Sequence, residues 1–244
     1  MEGTASIVEM TDGNKVLFTG PSLGYADLGS ASGKAIMARL TGDYSIHIDL
    51  CVRADNSLAR FCWAFALANG TNQYMGLVNA AGNSNWYYEI KNGTASQANS
   101  QQGLSTDTWH SVTMVQNAGM CSIYVDGAKR GSSAISLRPA DIAASVTQCW
   151  LGRSPFSGDA YMTNTLIDNF QVFDTALSPD DVAALYSQRP TSAEIAYSTD
   201  EKVAMARKEL HAAIGVRYIH NRIELPASYS QGDVAWTYTE AQGG

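Results

Sequence analysis

The sequence is poor in charged residues and has no run of one charge sign. Only 16 of its 244 residues are Lys or Arg, against 23 Asp or Glu, which leaves a formal net charge of −7. A nucleic-acid-binding surface needs clustered basic side chains to neutralise phosphates. The composition therefore argues against nucleic acid as a partner.

Long apolar segments are also missing. No run of about 18 apolar residues occurs, which is the length that a membrane-spanning helix requires. Residues Met1 to Thr4 have neither the basic nor the apolar region of a signal peptide. We therefore expect no membrane span, and an exported natural protein would have had its signal removed.

Known catalytic motifs are absent from the first part of the chain. Up to residue 190 the glutamates are Glu2, Glu9 and Glu89, so the Glu-x-Asp-x-x-Glu pattern of some retaining glycosidases does not occur. A Gly-x-Ser-x-Gly nucleophile motif is missing as well. His110 lies in a Trp-His-x-Val strand pattern that favours an imidazole bonded to a neighbouring strand or loop. We expect no catalytic centre, although distant aspartates could still assemble one.

The cysteines are few and widely spaced. Cys51, Cys62, Cys121 and Cys149 form no CxxC pair, so a structural zinc site is not expected. Buried free thiols are the favoured interpretation because cysteine packs as a small apolar residue. Disulfide bonds stay open as the alternative.

What the sequence does contain is alternation of apolar and polar residues from residue 6 to residue 173. In Ser45 to Arg53 every second residue is apolar, and Phe61 to Leu67 places Phe61, Trp63, Phe65 and Leu67 on one face. Further strands are predicted at 74–78, 86–90, 109–115, 121–125, 149–152 and 167–173, with turns such as Asp126-Gly127 between them. This pattern predicts an all-β fold, a two-sheet antiparallel jelly-roll sandwich.

The pattern changes near Ser178. Ser178-Pro179-Asp180-Asp181 has the composition of a helix N-terminus, which predicts a short helix over 178–187 that ends before Pro190. Residues 200–214 have helical spacing, and 216–226 and 234–238 are predicted to be extended. We therefore divide the chain into a sandwich domain over 1–190 and a small helix-plus-strand tail over 191–244.

An ordered set of short motifs resembles the laminin-G-like, concanavalin A-like jelly roll. The set begins with Thr108-Trp109-His110-Ser111-Val112 and Ile123-Tyr124-Val125-Asp126-Gly127. It continues with Trp150-Leu151-Gly152-Arg153, Leu166-Ile167-Asp168-Asn169-Phe170 and Thr175-Ala176-Leu177-Ser178. In the tail, Ile223-Glu224-Leu225-Pro226 and Val234-Ala235-Trp236-Thr237 resemble the start of an atrophied bacterial immunoglobulin-like module.

The resemblance implies a non-catalytic accessory module of a bacterial glycoside hydrolase. Such a module would be secreted, periplasmic or on the cell surface, would bind a polysaccharide or other glycan, and would be covalently linked to a catalytic domain, such as an arabinan- or xylan-active one. Two alternatives stay open. The module could pack on its catalytic domain without binding sugar, or the chain could be a free-standing glycosidase, because one fold hosts unrelated functions.

Candidate binding residues follow from composition and from the resemblance. Segment 83–89 combines amides with Trp86 and Tyr87, and Tyr74 is expected on a neighbouring strand, so these aromatic rings could stack on a sugar. At least one of Trp86 and Tyr87 must point away from the core, and the strand register decides which. The resemblance also implies a structural calcium ion at Asp168, with pairing to Arg153 or to backbone N–H groups as the alternative.

Overall fold

The computed structural model describes residues 1–54, 58, 60–80, 82–214, 228–229 and 232–233. The chain divides into two compact units, Met1–Ile195 and Ala196–Gly244. The first unit continues past residue 190 because Ile195 pairs with Met10 and, with Ala193, packs on the outer face of a sheet. The two-domain interpretation of residues 1–190 and 191–244 stays a prediction.

The first unit is built almost entirely of antiparallel strands. They are β1 (Ser6–Glu9), β2 (Lys15–Phe18), β3 (Ala26–Asp27), β4 (Tyr44–Val52), β5 (Trp63–Asn69), β6 (Gln73–Asn79), β7 (Trp86–Asn92), β8 (Thr94–Asn99), β9 (Trp109–Asn117), β10 (Met120–Val125), β11 (Ala128–Ala134), β12 (Gln148–Leu151) and β13 (Thr165–Phe173). Helices α1 (Ser30–Arg39) and α2 (Pro179–Ser187) and two short 3-10 turns, Pro139–Asp141 and Ala143–Ser145, complete the unit.

The strands form two sheets. The seven-stranded sheet has the order β1-β2-β13-β4-β9-β10-β11, and the six-stranded sheet has the order β3-β12-β5-β6-β7-β8. Apolar side chains from both sheets meet between them, as where the rings of Phe65 and Phe170 lie 5.2 Å apart. The predicted all-β, two-sheet antiparallel jelly-roll sandwich is confirmed.

Strand β4 follows its predicted alternation. Ile46, Ile48 and Leu50 lie in the core between the sheets, whereas Cys51 belongs to a second apolar cluster on the other face. All nine residues of β4 are buried. The outer face of β4 is therefore covered by other parts of the chain.

Strand β5 departs from its predicted alternation. The pairing with β6 is irregular between Trp63 and Phe65, since Trp63 lies opposite Val78 and Phe65 opposite Leu77. This β-bulge adds a residue, so that Phe65 and Leu67 face the core whereas Trp63 lies on the opposite face. The prediction that Phe61 and Trp63 share a face with Phe65 and Leu67 was wrong, because Trp63 lies on the outer face and Phe61, which precedes β5, is 41% exposed beside it.

The four cysteines are free and buried, as the favoured interpretation of their spacing had it. Burial raises the pKa of Cys51 and of Cys149 to about 11, and that of Cys62 and of Cys121 to about 12. Because thiolates rather than thiols are nucleophilic, such side chains are inert packing elements.

The second unit contains helix α3 (Thr199–Ile214) and a small pair of strands, β14 (Ser228–Tyr229) and β15 (Gly232–Asp233). The helix agrees with the spacing in residues 200–214. The predicted extended segments 216–226 and 234–238, and with them the resemblance to an immunoglobulin-like module, lie outside the described residues. None of the described helices has the length and apolar character needed to cross a membrane.

Candidate functional site

The predicted aromatic residues lie on β6 and β7, in the middle of the six-stranded sheet. Val78 is opposite Tyr87 and Asn79 is opposite Trp86 in the register of these strands. The Trp86 ring is fully enclosed in the core, and its Nε1 donates a hydrogen bond of 2.9 Å to Asn83 Oδ1. Trp86 therefore cannot offer a stacking face to a sugar, which corrects that prediction. Tyr87, its neighbour, points to the outer side of the sheet.

Tyr74 shares this outer side but lies beneath other rings. Only 2% of its surface is exposed, because Trp63 and Phe156 pack on it edge to face with ring centroids 5.4 and 5.5 Å away. Its hydroxyl donates a hydrogen bond to Glu89. The prediction that Tyr74 contacts ligand is corrected to a supporting position under Trp63 and Phe156.

These side chains border an open groove on the outer face of the six-stranded sheet. The groove has a volume of about 270 Å³. Phe61 is 41% exposed at its edge, and Tyr87 and Phe156 are partly exposed. We call this feature the aromatic groove; it is lined by Phe61, Trp63, Val78, Tyr87, Glu89, Phe156 and Asp159.

A glycine lets Trp63 lie flat on the sheet. A Cβ atom at Gly76 would come within 2.5 Å of the Trp63 ring and 2.4 Å of the Phe65 carbonyl oxygen. The absence of a side chain at position 76 therefore makes room for the indole that the bulge in β5 turns outward. The groove floor depends on both features together.

Two carboxylates lie in the groove among these rings. Glu89 accepts hydrogen bonds from Tyr74 and from the Gln97 amide. Asp159 accepts hydrogen bonds from Trp63 Nε1 at 2.9 Å and from Ser154 Oγ at 2.6 Å. Neutral donors thus orient both groups.

These negative charges change the acidity of the partly exposed tyrosine. Burial, together with the carboxylates of Glu89 and Asp159, raises the pKa of Tyr87 to about 12. The Tyr87 hydroxyl is protonated at physiological pH, as a tyrosine with an ordinary pKa of about 10 also is, and it can donate a hydrogen bond. Apolar rings beside oriented acceptors are the groups that bind the apolar face and the hydroxyls of a sugar.

A second cavity, also of about 270 Å³, adjoins the groove. The two cavities share Phe156 and Asp159 as lining residues. The second one is more polar and contains Gln148, Trp150 and Arg153. A ligand longer than one sugar unit could therefore contact both cavities.

His110 bonds neighbouring loop residues, as its strand pattern indicated. Its Nδ1 lies 2.8 Å from Asp126 Oδ2, and its Nε2 lies 2.8 Å from the hydroxyl of the exposed Ser105. Asp126 also accepts the Ser111 backbone N–H at 3.1 Å. Ser105, His110 and Asp126 are linked in the same order as the residues of a hydrolase triad. Here the hydrogen bonds of His110 and Asp126 join the start of β9 to the turn between β10 and β11.

Asp168, the predicted calcium ligand, lies on β13 beside other carboxylates. Burial and the charges of Asp49 and Asp12 raise its pKa, although the Asn169 backbone N–H acts in the opposite direction. Asp49 is already bonded by Ser111 and Asn169, and Asp12 by residues 191–192 and Asn14. Among the residues described, no group of three or more His, Cys, Asp or Glu side chains is arranged to hold a metal ion.

The neighbours of Asp168 therefore do not form a ready calcium cage, and the calcium ion stays a prediction. The alternative partner, Arg153, lies next to the aromatic groove on the other sheet, and the described ion pairs do not include it.

The chain belongs to the concanavalin A-like lectin/glucanases superfamily, whose family model matches residues 29–183, more than half of its length. This assignment confirms the laminin-G-like, concanavalin A-like resemblance seen in the motifs. The comparison with curated proteins gives no match.

Solved structures with the same fold include several binding domains. Domain 4 of the extracellular GH43 arabinanase from Geobacillus stearothermophilus, in complex with arabinotriose, is 15% identical with a TM-score of 0.53, over 76% of this chain and 82% of that one. The CBM40 of the Ruminococcus gnavus IT-sialidase is 16% identical with a TM-score of 0.54, over 70% of this chain and 96% of that one. The binding domain of Paraclostridial Mosquitocidal Protein 1 is 15% identical with a TM-score of 0.53, over 76% of this chain and 46% of that one. At these identities the likeness concerns the fold.

Proposed function

We propose that the chain is a non-catalytic carbohydrate-binding module that binds a glycan in the aromatic groove. The observation that carries this proposal is the arrangement of Phe61, Trp63, Tyr87 and Phe156 around Glu89 and Asp159 on one open sheet face. The rings supply apolar surface for a sugar face, and the carboxylates accept hydrogen bonds from its hydroxyls.

We further propose that the module works within a secreted polysaccharide-degrading protein, where it holds a linked catalytic domain on its substrate. The likeness to a domain of an extracellular arabinanase and to a sialidase CBM40 supports this role. Arabinan and xylan are the first polymers to test. The rival role, a module that packs on its catalytic domain without binding sugar, predicts no glycan affinity.

The experiment is calorimetry of the full chain against arabinan, xylan, pectic and host glycans, with matched aromatic variants. Phe61→Ala and Tyr87→Ala remove rings from the groove while leaving the core between the sheets intact. Each should weaken binding by up to about tenfold, given about 0.5–1.5 kcal/mol per lost aromatic contact. Tyr124→Ala, which removes a partly exposed ring from β10 of the other sheet, is the control and should leave affinity unchanged.

Absence of binding to every glycan, with the chain folded, would contradict the proposed function and favour the packing role. Equal loss of affinity in the Tyr124→Ala control would place the binding site elsewhere on the molecule.

A second candidate function, a glycosidase, is favoured by one observation. The groove contains two carboxylates, Glu89 and Asp159, which is the minimum that glycoside hydrolysis requires. Release of reducing ends from a bound glycan, abolished by Glu89→Gln or Asp159→Asn, would establish this activity. The non-catalytic binding function proposed above predicts no release.

A further inference from the structure

The guanidinium group of Arg153 lies among three aromatic rings beside the aromatic groove. Its Cζ is 4.1 Å from the ring centroid of Trp150, 4.6 Å from that of Tyr25 and 5.4 Å from that of Tyr161. Rings packed over a guanidinium occupy its flat faces and leave its N–H groups pointing outward in the plane. The rings therefore hold the cation in place without using its hydrogen-bond donors.

Among the residues that the structure describes, no carboxylate forms an ion pair with Arg153. The ion pairs found in the described part of the chain join Arg39 to Asp174, His47 to Asp49 and His110 to Asp126. Asp159, the acidic residue in the lining of the same cavity, instead accepts hydrogen bonds from Trp63 and Ser154. In a chain with a net charge of −7, a fixed and unpaired arginine in a cavity is an anion-binding feature.

Two residues that line this cavity also have a buried polar atom without a hydrogen-bond partner among the described residues. Trp150 Nε1 and Gln148 Oε1 are buried and accept or donate no hydrogen bond among the residues described. Trp150 is only 9% exposed and lines the cavity. Both atoms are enclosed by protein and do not reach the open space of the cavity, which leaves Arg153 as the cationic donor in its lining.

We propose that this cavity binds the carboxylate of an acidic sugar unit, either a uronic acid or a sialic acid, within a glycan whose next unit lies in the aromatic groove. This proposal rests on the proposed function. The cavity, which we call the Arg153 pocket, is lined by Gln148, Trp150, Arg153, Ser154, Pro155, Phe156, Ser157, Asp159, Ala160 and Tyr161. The planar guanidinium offers two parallel N–H groups that match the two oxygens of a carboxylate.

Charge decides where the acidic unit lies. Glu89 lines only the aromatic groove and Arg153 lines only the adjoining pocket, whereas Asp159 lines both cavities. A carboxylate in the groove would therefore be repelled by two acidic groups, but in the pocket the attraction of Arg153 opposes the repulsion of Asp159. Arg153 lies in the adjoining pocket, beyond the Phe156 and Asp159 boundary that both cavities share. The acidic unit therefore occupies the Arg153 pocket while a neutral unit stacks in the groove.

The test compares matched acidic and neutral ligands by calorimetry with the full chain. Oligogalacturonate is paired with its neutral methyl ester, and sialyllactose with lactose, so that the two sources of carboxylate are distinguished. We expect one acidic ligand to bind at least about tenfold more tightly than its neutral partner, as a charge-assisted pair provides. Its affinity should fall as salt is raised, whereas that of the neutral partner should not.

Variants of Arg153 locate the effect. Arg153→Gln should remove the preference for the acidic ligand, and Arg153→Lys, which keeps the charge but not the planar fork, should retain part of it. The control is Arg189→Gln. Like Arg153, Arg189 stacks on an aromatic ring, with its Cζ 4.1 Å from the ring centroid of Tyr186, but it lines neither cavity. Melting temperatures show whether each variant is folded. If Arg153→Gln is unfolded, the affinity of Arg153→Lys and the salt dependence of the unaltered protein test the proposal instead.

The outcomes separate the two proposals. Equal affinity for acidic and neutral glycans, still lost in Tyr87→Ala, would overturn the Arg153 pocket and leave the carbohydrate-binding function intact. A preference for acidic ligand that survives Arg153→Gln would also overturn it. No affinity for any of the glycans would overturn both proposals together.

Discussion

Trp86 and Tyr87 are adjacent in sequence but serve different parts of the protein. Trp86 is fully buried in the core between the sheets, and Tyr87 lines the aromatic groove on the opposite side of β7. The period of two in a strand causes this division. Their substitutions should therefore affect different measurements.

Trp86→Ala should destabilise the fold by about 3–5 kcal/mol, because it removes a large enclosed ring and leaves a cavity. Tyr87→Ala should cost far less stability and instead reduce glycan affinity. Urea unfolding and calorimetry on the same pair of variants check this separation. A stable Trp86→Ala variant that has lost only binding would contradict the placement of the ring in the core.

Asp126 makes stability depend on pH. Burial raises its pKa, but the hydrogen bond and charge of His110, the Ser111 backbone N–H and the charge of Arg189 outweigh this effect, so the pKa lies below its ordinary value. A carboxyl group whose pKa is lower in the folded state contributes stability above its unfolded pKa. That contribution is lost as the pH falls through the folded pKa.

We therefore expect Asp126→Asn to destabilise the protein at neutral pH and to flatten the acid limb of its stability curve. Thermal unfolding from neutral pH into the acid range, with Glu194→Gln as an exposed carboxylate control, measures both effects. Parallel pH profiles for Asp126→Asn and the unaltered protein would contradict this role.

Helix α2 owes its start to local sequence. Ser178 accepts a hydrogen bond from the Asp181 backbone N–H at 3.2 Å, and Asp181 accepts one from the Ser178 backbone N–H at 2.9 Å. This reciprocal pair, the proline at the first helical position and two acidic residues in the first turn all favour a helix here. The helix also buries Val182 against the sandwich.

Ser178→Ala should reduce stability by about 1 kcal/mol, because one helix N–H loses its side-chain acceptor. Ser178→Asn, which keeps an acceptor oxygen, should restore most of the loss. Chemical denaturation of both variants provides the measurement, and an Ala variant as stable as the Asn variant would show that the cap contributes nothing.

The predicted calcium site at Asp168 can be tested through the melting temperature of the protein. Because burial and the charges of Asp49 and Asp12 raise the pKa of Asp168, its ionised form opposes folding, and Asp168→Asn should raise the melting temperature at neutral pH in chelator. If calcium binds there, it should raise the melting temperature of the unaltered protein and leave the variant unchanged. Identical melting of the unaltered protein in calcium and in chelator would exclude the ion.

Local patterns in the sequence were sufficient for most of the fold. Alternating apolar residues predicted strands that correspond to β4, β6, β7, β9, β10, β12 and β13, because burial of one strand face imposes a period of two. Capping residues predicted α2 for an equally local reason. Helix α1 was not predicted. Its Gly33 lies where a Cβ would be 3.0 Å from both Cys149 and Val146, so its position depends on close tertiary packing.

The binding surface depended on contacts between segments far apart in the chain. Alternation assigned Trp63 to the same face as Phe65. In the structure the β-bulge between β5 and β6 places Trp63 on the outer face, where its ring packs over Gly76. The roles of Trp86 and Tyr87 followed from a pairing register that composition leaves open. Phe156, Asp159 and Arg153 come from the segment after β12, which reaches the same sheet face only in the folded chain. Sequence alone therefore determined the strands and the class of fold, which arise from local periodicity, whereas the groove and the Arg153 pocket arise from long-range pairing and could be recognised only in three dimensions.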